Sequence, residues 1–359
     1  MCDDGPLPLP GSTIASTANL RVVADEDLDL CLGTFVDWQS SLDLMSTLFE
    51  RTPPDQIDVF VTSAPSLLCS ENNIGCAKFG PRPMVAVARQ YAVAHEVAHV
   101  FEESMVSGRM IPAFEEGFAE MFSGRGGVLP RSPTVGVVNA LSASEVDYSH
   151  ARHFTRWLLS EIGPQDLLAL YSSSESSDSG PLRVARIEDS LGLPWREVQR
   201  LFWQGAPLYD PGEKVCDFVD GSVPSKGTLV LTVPFECGSE QTRGPHIANE
   251  MIQGRYSRKQ VIEVNEPGRY WLETTPGLVS LVPCDVRNDP YDAAIWGLLD
   301  QPIYTVAALT SFRRAWRLDL LAGRYLATVM SEEGSAEPAR VAIHVDRPLS
   351  AVLSPVVLE

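Results

Sequence analysis

The residues of this chain best placed to do chemistry are two histidines four positions apart with a glutamate between them. They lie in the run Tyr91-Ala-Val-Ala-His95-Glu96-Val97-Ala98-His99-Val100. On a helix, positions i and i+4 share a face, so His95 and His99 can offer two imidazole nitrogens to one metal ion while Glu96 stands beside a water on that ion. A Lewis-acidic ion lowers the pKa of its water, and an adjacent carboxylate can take the proton and pass it to a leaving amine. That is the chemistry of a zinc hydrolase. The competing reading is a surface helix with scattered polar residues. It conflicts with the apolar, small-residue setting of Val93, Ala94, Val97, Ala98, Val100 and Phe101, where an unpartnered imidazole or carboxylate would be costly to bury.

A third ligand is needed to complete such a site. The positions where a metzincin would carry glycine and a further histidine hold Glu102 and Met105, which excludes that family. Downstream stands Pro112-Ala-Phe-Glu115-Glu116-Gly117-Phe118-Ala119-Glu120-Met121-Phe122, with a proline suited to the first turn of a helix. Here the chain resembles the gluzincin metallopeptidases, the thermolysin-like and aminopeptidase N-like zinc enzymes, whose second motif reads Glu-Gly-Phe-Ala-Glu or close to it. The resemblance implies a zinc ion held by His95, His99 and Glu116, with Glu96 as general base and then acid. It places at Glu120 the carboxylate that orients a ligating histidine, a role with its own physical basis. Glu115 is the rival ligand, but it has no carboxylate four residues on. The likeness continues through Val146-Asp147-Tyr148-Ser-His150-Ala-Arg-His153-Phe154, where Tyr148 matches the tyrosine that donates its hydroxyl to the oxyanion of the tetrahedral intermediate. The same tyrosine also suits a helix-capping aromatic, and His150 and His153 read as surface or packing histidines. Two departures stand out. Only 16 residues separate His99 from Glu116, which requires a compact connection. Nothing upstream resembles the Gly-x-Met-Glu-Asn segment that grips a free amine in the aminopeptidases, so endopeptidase action on a peptide or protein substrate is expected over aminopeptidase action. The resemblance covers roughly residues 19–210.

Elements must hold these groups in place. Composition reads residues 1–18 as a tether, followed by a strand over 18–23, a helix over 35–50 and an alternating strand over 57–62. Met84–Ala88 reads as a strand running into the helix of the His-Glu motif, and the gluzincin plan makes it the sheet edge to which an extended peptide adds. Further helices fit 112–122, 150–162, 164–171 and 195–202, and the serine-rich stretch 172–180 reads as an exposed loop. Beyond Pro211 helical spacing gives way to short alternating runs at 228–233, 260–264, 270–273, 279–282, 304–309, 316–320, 325–329 and 340–344, the spacing of a β-sandwich. The turns Glu266-Pro267-Gly268-Arg269-Tyr270 and Leu321-Ala322-Gly323-Arg324-Tyr325 resemble those of the prepeptidase C-terminal modules attached to secreted bacterial proteases. The expected organisation is therefore an α+β zincin-like metallopeptidase domain over 19–210, a linker over 211–225 and an all-β sandwich over 226–350. A second reading makes the chain a cell-surface binding protein that uses the sandwich, with a structural or vestigial metal site.

Composition bounds these readings. The chain has 359 residues, 44% of them hydrophobic, enough for two domains with real cores. Its 28 basic against 47 acidic residues give a formal charge of -19, which repels phosphates, so nucleic acid is not an expected partner. Its apolar runs fall far short of the roughly 20 residues a spanning helix needs. Seven cysteines suit an oxidising compartment. Met1-Cys2 followed by a flexible polar stretch resembles a bacterial lipoprotein whose signal peptide has been replaced by a start methionine. Membrane attachment would then run through lipid on Cys2, in an exported cell-envelope or secreted protein. Cys69 and Cys76 bracket a short polar loop that their own bridge would close, and Cys216 with Cys237 and Cys31 with Cys284 are one arrangement among several for the rest.

Overall fold

The computed structural model describes residues 11–24, 28, 30–62, 65, 68–69, 74–88, 92–106, 111–123, 127–128, 138–140, 142–205, 209–210, 222–225, 228–245, 254–283, 314–320 and 322–348. The chain divides into two compact units. The first comprises 1–28, 35–125 and 129–207, and the second comprises 29–34, 126–128 and 208–359. The first is mixed α and β, and the second is β-rich. Among the described residues no helix is long and apolar enough to cross a membrane. The expected strand at 304–309 and Cys2, Cys216 and Cys284 lie outside the described residues.

The first unit is built on a five-stranded sheet with strands β1 (Ser12–Ser16), β2 (Leu20–Ala24), β3 (Ile57–Val61), β4 (Gly75–Lys78) and β5 (Met84–Val87) in the order β1-β2-β3-β5-β4. The three central strands β2, β3 and β5 run parallel. Their side chains are buried almost throughout, as parallel strands covered on both faces must be. Both edges are antiparallel. Two expectations are corrected here. Residues 12–16, assigned by composition to a tether, form an edge strand, because β1 needs backbone pairing to β2 rather than apolar side chains. Met84–Ala88 is not the sheet edge. Gly75–Lys78 form β4, which pairs antiparallel with β5 and takes the edge from it.

Helices α1 (Leu32–Phe49), α2 (Val93–Met105), α3 (Pro112–Phe122), α4 (Tyr148–Ser173), α5 (Gly180–Leu191) and α6 (Trp195–Gly205) follow. α2 lies against β3, β4 and β5, and α3 packs on both α2 and α4. Apolar burial holds this layer together: Phe49 of α1 meets Phe118 and Phe122 of α3 at 5.4 and 6.1 Å, and Phe114 stacks on Tyr171 of α4 at 5.0 Å. α4 joins two expected helices across a kink at Gly163, whose φ of 78° only glycine adopts freely, with Pro164 following. The serine-rich stretch is mostly exposed and leaves the helix at Ser174, as expected, but it is tied down at two points. Ser174 and Asp178 are buried, and α5 begins immediately after it with a proline in its first turn. Arg183 of α5, 1% exposed, explains why. It donates from Nε to Asp178 O, from Nη1 to Val138 O and Ala140 O, and from Nη2 to Ser176 O. A buried guanidinium satisfied by four carbonyls ties the serine-rich turn and the 138–140 segment to one helix.

In the second unit, β6 (Gly127–Val128) pairs with β7 (Tyr209–Asp210). Two larger sheets follow. One runs β10 (Thr242–Arg243), β11 (Ser257–Val264), β15 (Gly323–Met330), β13 (Leu278–Pro283), with β8 (Ser222–Ser225) also on β11. The other runs β14 (Ala315–Leu320), β12 (Gly268–Thr275), β16 (Ala339–Pro348), β9 (Thr228–Val233). Alternate residues of both sheets, among them Ile262, Val264, Tyr270, Leu272, Val279, Leu281, Val341 and Ile343, share one core, which is the reason for their period-two pattern. The disulfides are Cys69–Cys76 and Cys31–Cys237. The second replaces the expected pairings of Cys216 with Cys237 and Cys31 with Cys284. Cys31 N donates to Gly244 O at 2.7 Å and Leu32 N to Cys237 O at 2.9 Å, so backbone pairing brings residue 31 to residue 237.

Candidate metal centre

All ten residues from Val93 to Glu102 of α2 are buried, and on α3 every residue but Glu115 is. The site is therefore assembled between two helices that are enclosed along the stretches carrying it. Proline at the start of α3 costs no hydrogen bond, since the first-turn N–H groups have no partner within the helix. His95 and His99, one turn apart on α2, direct their Nε2 atoms to one point, 3.1 Å from each other. Glu116 of α3 completes the triangle, its Oε2 3.3 Å from His95 Nε2 and 3.6 Å from His99 Nε2. A tetrahedral ion with ligands at about 2.0–2.1 Å spaces its donors by about 3.3–3.4 Å, so the three edges match one face of such a tetrahedron. Glu116 Oε2 is buried and accepts no hydrogen bond. A buried carboxylate oxygen left that way between two imidazole nitrogens fits a divalent cation, and so does the donor set of two imidazoles and one carboxylate. His95, His99 and Glu116 are the group that could hold a metal ion among the described residues.

The remaining expected residues surround this triangle. Glu120, one turn beyond Glu116, places Oε1 3.3 Å from His95 Nδ1, the nitrogen facing away from the triangle. Tyr148 is the first residue of α4. The cap is its neighbour Asp147, whose Oδ1 accepts from His150 N at 3.1 Å. Tyr148 is thus free of a capping task, and its ring, 40% exposed, lies 6.0 Å from that of His95. The seat of α4 is fixed by a small apolar cluster of Ala113, Ala140, Val146 and Ala151. His150 Nδ1 lies 3.2 Å from Asp147 Oδ2, and His153 is buried against the ring of Phe202 at 4.7 Å, so both are used away from the cleft. The cleft has a volume of about 580 Å³. His95, Glu96, His99, Glu116, Glu120 and Tyr148 all line it, and β4 contributes Gly75 and Cys76 to the same wall.

The electrostatics follow from burial of opposite charges. Burial pushes the Glu116 carboxyl up, but His95 and His99 more than reverse this and hold it at about 2. Burial works to lower both histidines, and the carboxylates around them win, leaving His95 raised and His99 raised strongly. Glu96 is pushed up by burial against the pull of the two histidines, and Tyr148 is pushed up by burial and by the charge of Glu116. Partial burial thus favours the protonated form of both the Glu96 carboxyl and the Tyr148 phenol.

Three residues at the site were not singled out from the sequence. Glu102, three residues after His99 on the same helix face, could have been found from that spacing. Gly75 could not, because nothing local to the chain announces that β4 folds against Glu96. Arg152, buried at the cleft wall one turn after Tyr148, follows from helical spacing once Tyr148 is placed. Comparison with known protein families and with characterised proteins finds no match for this chain.

Proposed function

We propose that this chain is a zinc-dependent peptidase of the gluzincin type, exported, and acting on extended peptide segments by hydrolysis. The observation that carries this reading is the triangle of His95 Nε2, His99 Nε2 and Glu116 Oε2, with Glu96 lining the same cleft. Three protein donors and a neighbouring carboxylate are the composition of a hydrolytic site, whereas a structural zinc site is normally closed by four ligands. Bound zinc would supply Lewis acidity to the attacking water and to the scissile carbonyl. Glu96 takes the proton of that water and delivers it to the leaving amine. Its raised pKa suits both halves of that task. Tyr148, a partly exposed residue whose hydroxyl keeps its proton, donates that hydroxyl to the oxyanion as charge develops there. The Glu120 carboxylate, 3.3 Å from Nδ1 of His95, is placed to orient that ring with its Nε2 turned inward. The substrate adds to β4, the edge strand of the sheet whose residues Gly75 and Cys76 line the cleft. The two disulfides support an oxidising compartment.

The test is elemental analysis of wild type, Glu116→Ala and Glu96→Gln, paired with cleavage of a quenched-peptide library with and without chelator. Wild type is expected to hold close to one zinc per chain and to cleave in a chelator-sensitive way. Glu116→Ala loses metal. Glu96→Gln keeps it and loses about 10²–10⁴-fold in rate, the contribution of a positioned general base. Wild-type protein without zinc sinks the reading, and full biological activity in Glu96→Gln transfers the function to the β-rich unit.

A further inference from the structure

Glu102 is a carboxylate with no part in the hydrolysis proposed above, yet it is buried to 2% exposure on the last turns of α2. Its Oε2 lies 3.7 Å from His99 Nδ1, and its Oε1 is buried without a hydrogen-bond partner. Burying a carboxylate is costly unless an opposite charge or good hydrogen bonds compensate. The side chain that faces it is the imidazole of His99, while Glu115 and Glu116 act against its charge. The fully buried hydroxyl of Tyr171 also senses the charge of Glu102, and Thr155, itself fully buried, lies beside that hydroxyl.

A helix that needed only packing at this position would be served by any apolar side chain. What Glu102 adds is an acceptor facing the one His99 nitrogen that does not point into the triangle. His95 has the same arrangement with Glu120, but that acceptor comes from α3, whereas Glu102 rides on the same helix as the ring it faces. Which ring nitrogen of a histidine is free to ligate is set by what the other one meets. We infer that Glu102 is the positioning residue for His99: two buried groups without other hydrogen-bond partners, Nδ1 of His99 and the Glu102 carboxylate, face each other at 3.7 Å, and a small approach when the metal seats lets the carboxylate accept from Nδ1–H, fix the tautomer that leaves Nε2 free to ligate, and make that nitrogen a stronger donor. The inference rests on the metal-centre reading of the site.

The test is a competition titration with zinc itself, against a chromophoric chelator, on wild type, Glu102→Gln and Glu102→Ala. It is accompanied by ¹⁵N-edited spectra of the zinc-loaded protein in which the histidine rings are labelled. Glu102→Ala is expected to bind zinc about 10–100-fold more weakly, the usual effect of losing such a partner, and to lose the slowly exchanging Nδ1–H signal of His99. Glu102→Gln, nearly isosteric, is expected to fall between the two, because its amide oxygen still accepts from Nδ1–H without the charge. A merely structural role moves thermal stability and leaves the His99 spectrum and the zinc affinity of folded protein alone. Should Glu102→Ala fail to fold, Glu102→Gln decides. Zinc binding by wild type together with affinity within twofold and an unchanged His99 spectrum in the folded variants overturns this inference alone. Failure of wild type to bind zinc overturns the proposed function and this inference with it.

Discussion

At the scale of single residues, the centre depends on small distances, and Gly75 tests this from outside the ligand set. A Cβ built on Gly75 would stand 2.7 Å from Glu96 Oε1 and 3.1 Å from Val87 Cγ1. The first contact is with the end of a flexible side chain, so the fold can accept Gly75→Ala by turning the Glu96 carboxylate aside. The stability cost is then small and the catalytic cost large, because displacing a reacting group by about 1 Å can lower rate by as much as 10²-fold. Gly75→Ala is expected to keep its zinc and its unfolding temperature while losing at least about tenfold in kcat/KM, or about 1.4 kcal/mol of transition-state stabilisation. Steady-state kinetics beside elemental analysis check this. Wild-type activity in a folded Gly75→Ala protein would mean that Glu96 does not work from the position it occupies.

At the scale of elements, the junction of α3 and α4 carries the site, because Glu116 and Glu120 ride on one helix and Tyr148 on the other. Gly117 sits where they touch. A Cβ there would lie 2.3 Å from Thr155 Oγ1 and 2.7 Å from Ala151 O, and the second is backbone that cannot turn away. Alanine improves helix propensity by about 1 kcal/mol over glycine, whereas overpacking a tight contact costs about 1–3 kcal/mol or more. The double clash places Gly117→Ala toward the upper end, so a net loss of about 1–2 kcal/mol is expected in chemical denaturation, with weakened zinc binding as Glu116 is carried outward. A gain in stability would show that the helices are free to part. This junction also marks how much was legible in advance. Pro112–Phe122 has the bounds its residues announce, since a proline start and helical spacing are local signals. The triad of His95, His99 and Glu116 was legible for the same reason, joined to a motif resemblance. α5 was not, because its stripe is poor in apolar residues and its anchor is a buried arginine whose carbonyl partners lie in other segments. The edge strand β4 was hidden likewise. Its pairing to β5 is a long-range backbone matter, and a glycine, a cysteine and a lysine carry no strand pattern.

At the scale of the whole molecule, the two disulfides differ in what they close. Cys69–Cys76 spans a sequence separation of 7, and Cys31–Cys237 spans 206. If a bridge acts chiefly by restricting the unfolded chain, its contribution grows with the logarithm of the loop, giving about 2–3 kcal/mol for the short one and about 5 kcal/mol for the long one. The long bridge does not act alone. Residues 31–34 and 237–244 both belong to the second unit, where Gly244 N donates to Thr34 Oγ1 at 3.0 Å and a Cβ on Gly33 would strike Glu240 O and Thr242 O. These contacts persist in the folded state without the sulfur link, so the native geometry has little reason to relax when it is cut, and the entropic loss should appear nearly in full. Replacing Cys31 and Cys237 together by alanine is therefore expected to destabilise the protein by more than the Cys69/Cys76 double replacement. Calorimetry of the two variants under identical conditions gives the ranking. Zinc content should stay at the wild-type level in the Cys31/Cys237 variant, since His95, His99 and Glu116 all belong to the first unit. Equal or reversed losses would show that the short bridge holds β4, and with it the cleft wall, by native-state contacts that outweigh loop entropy.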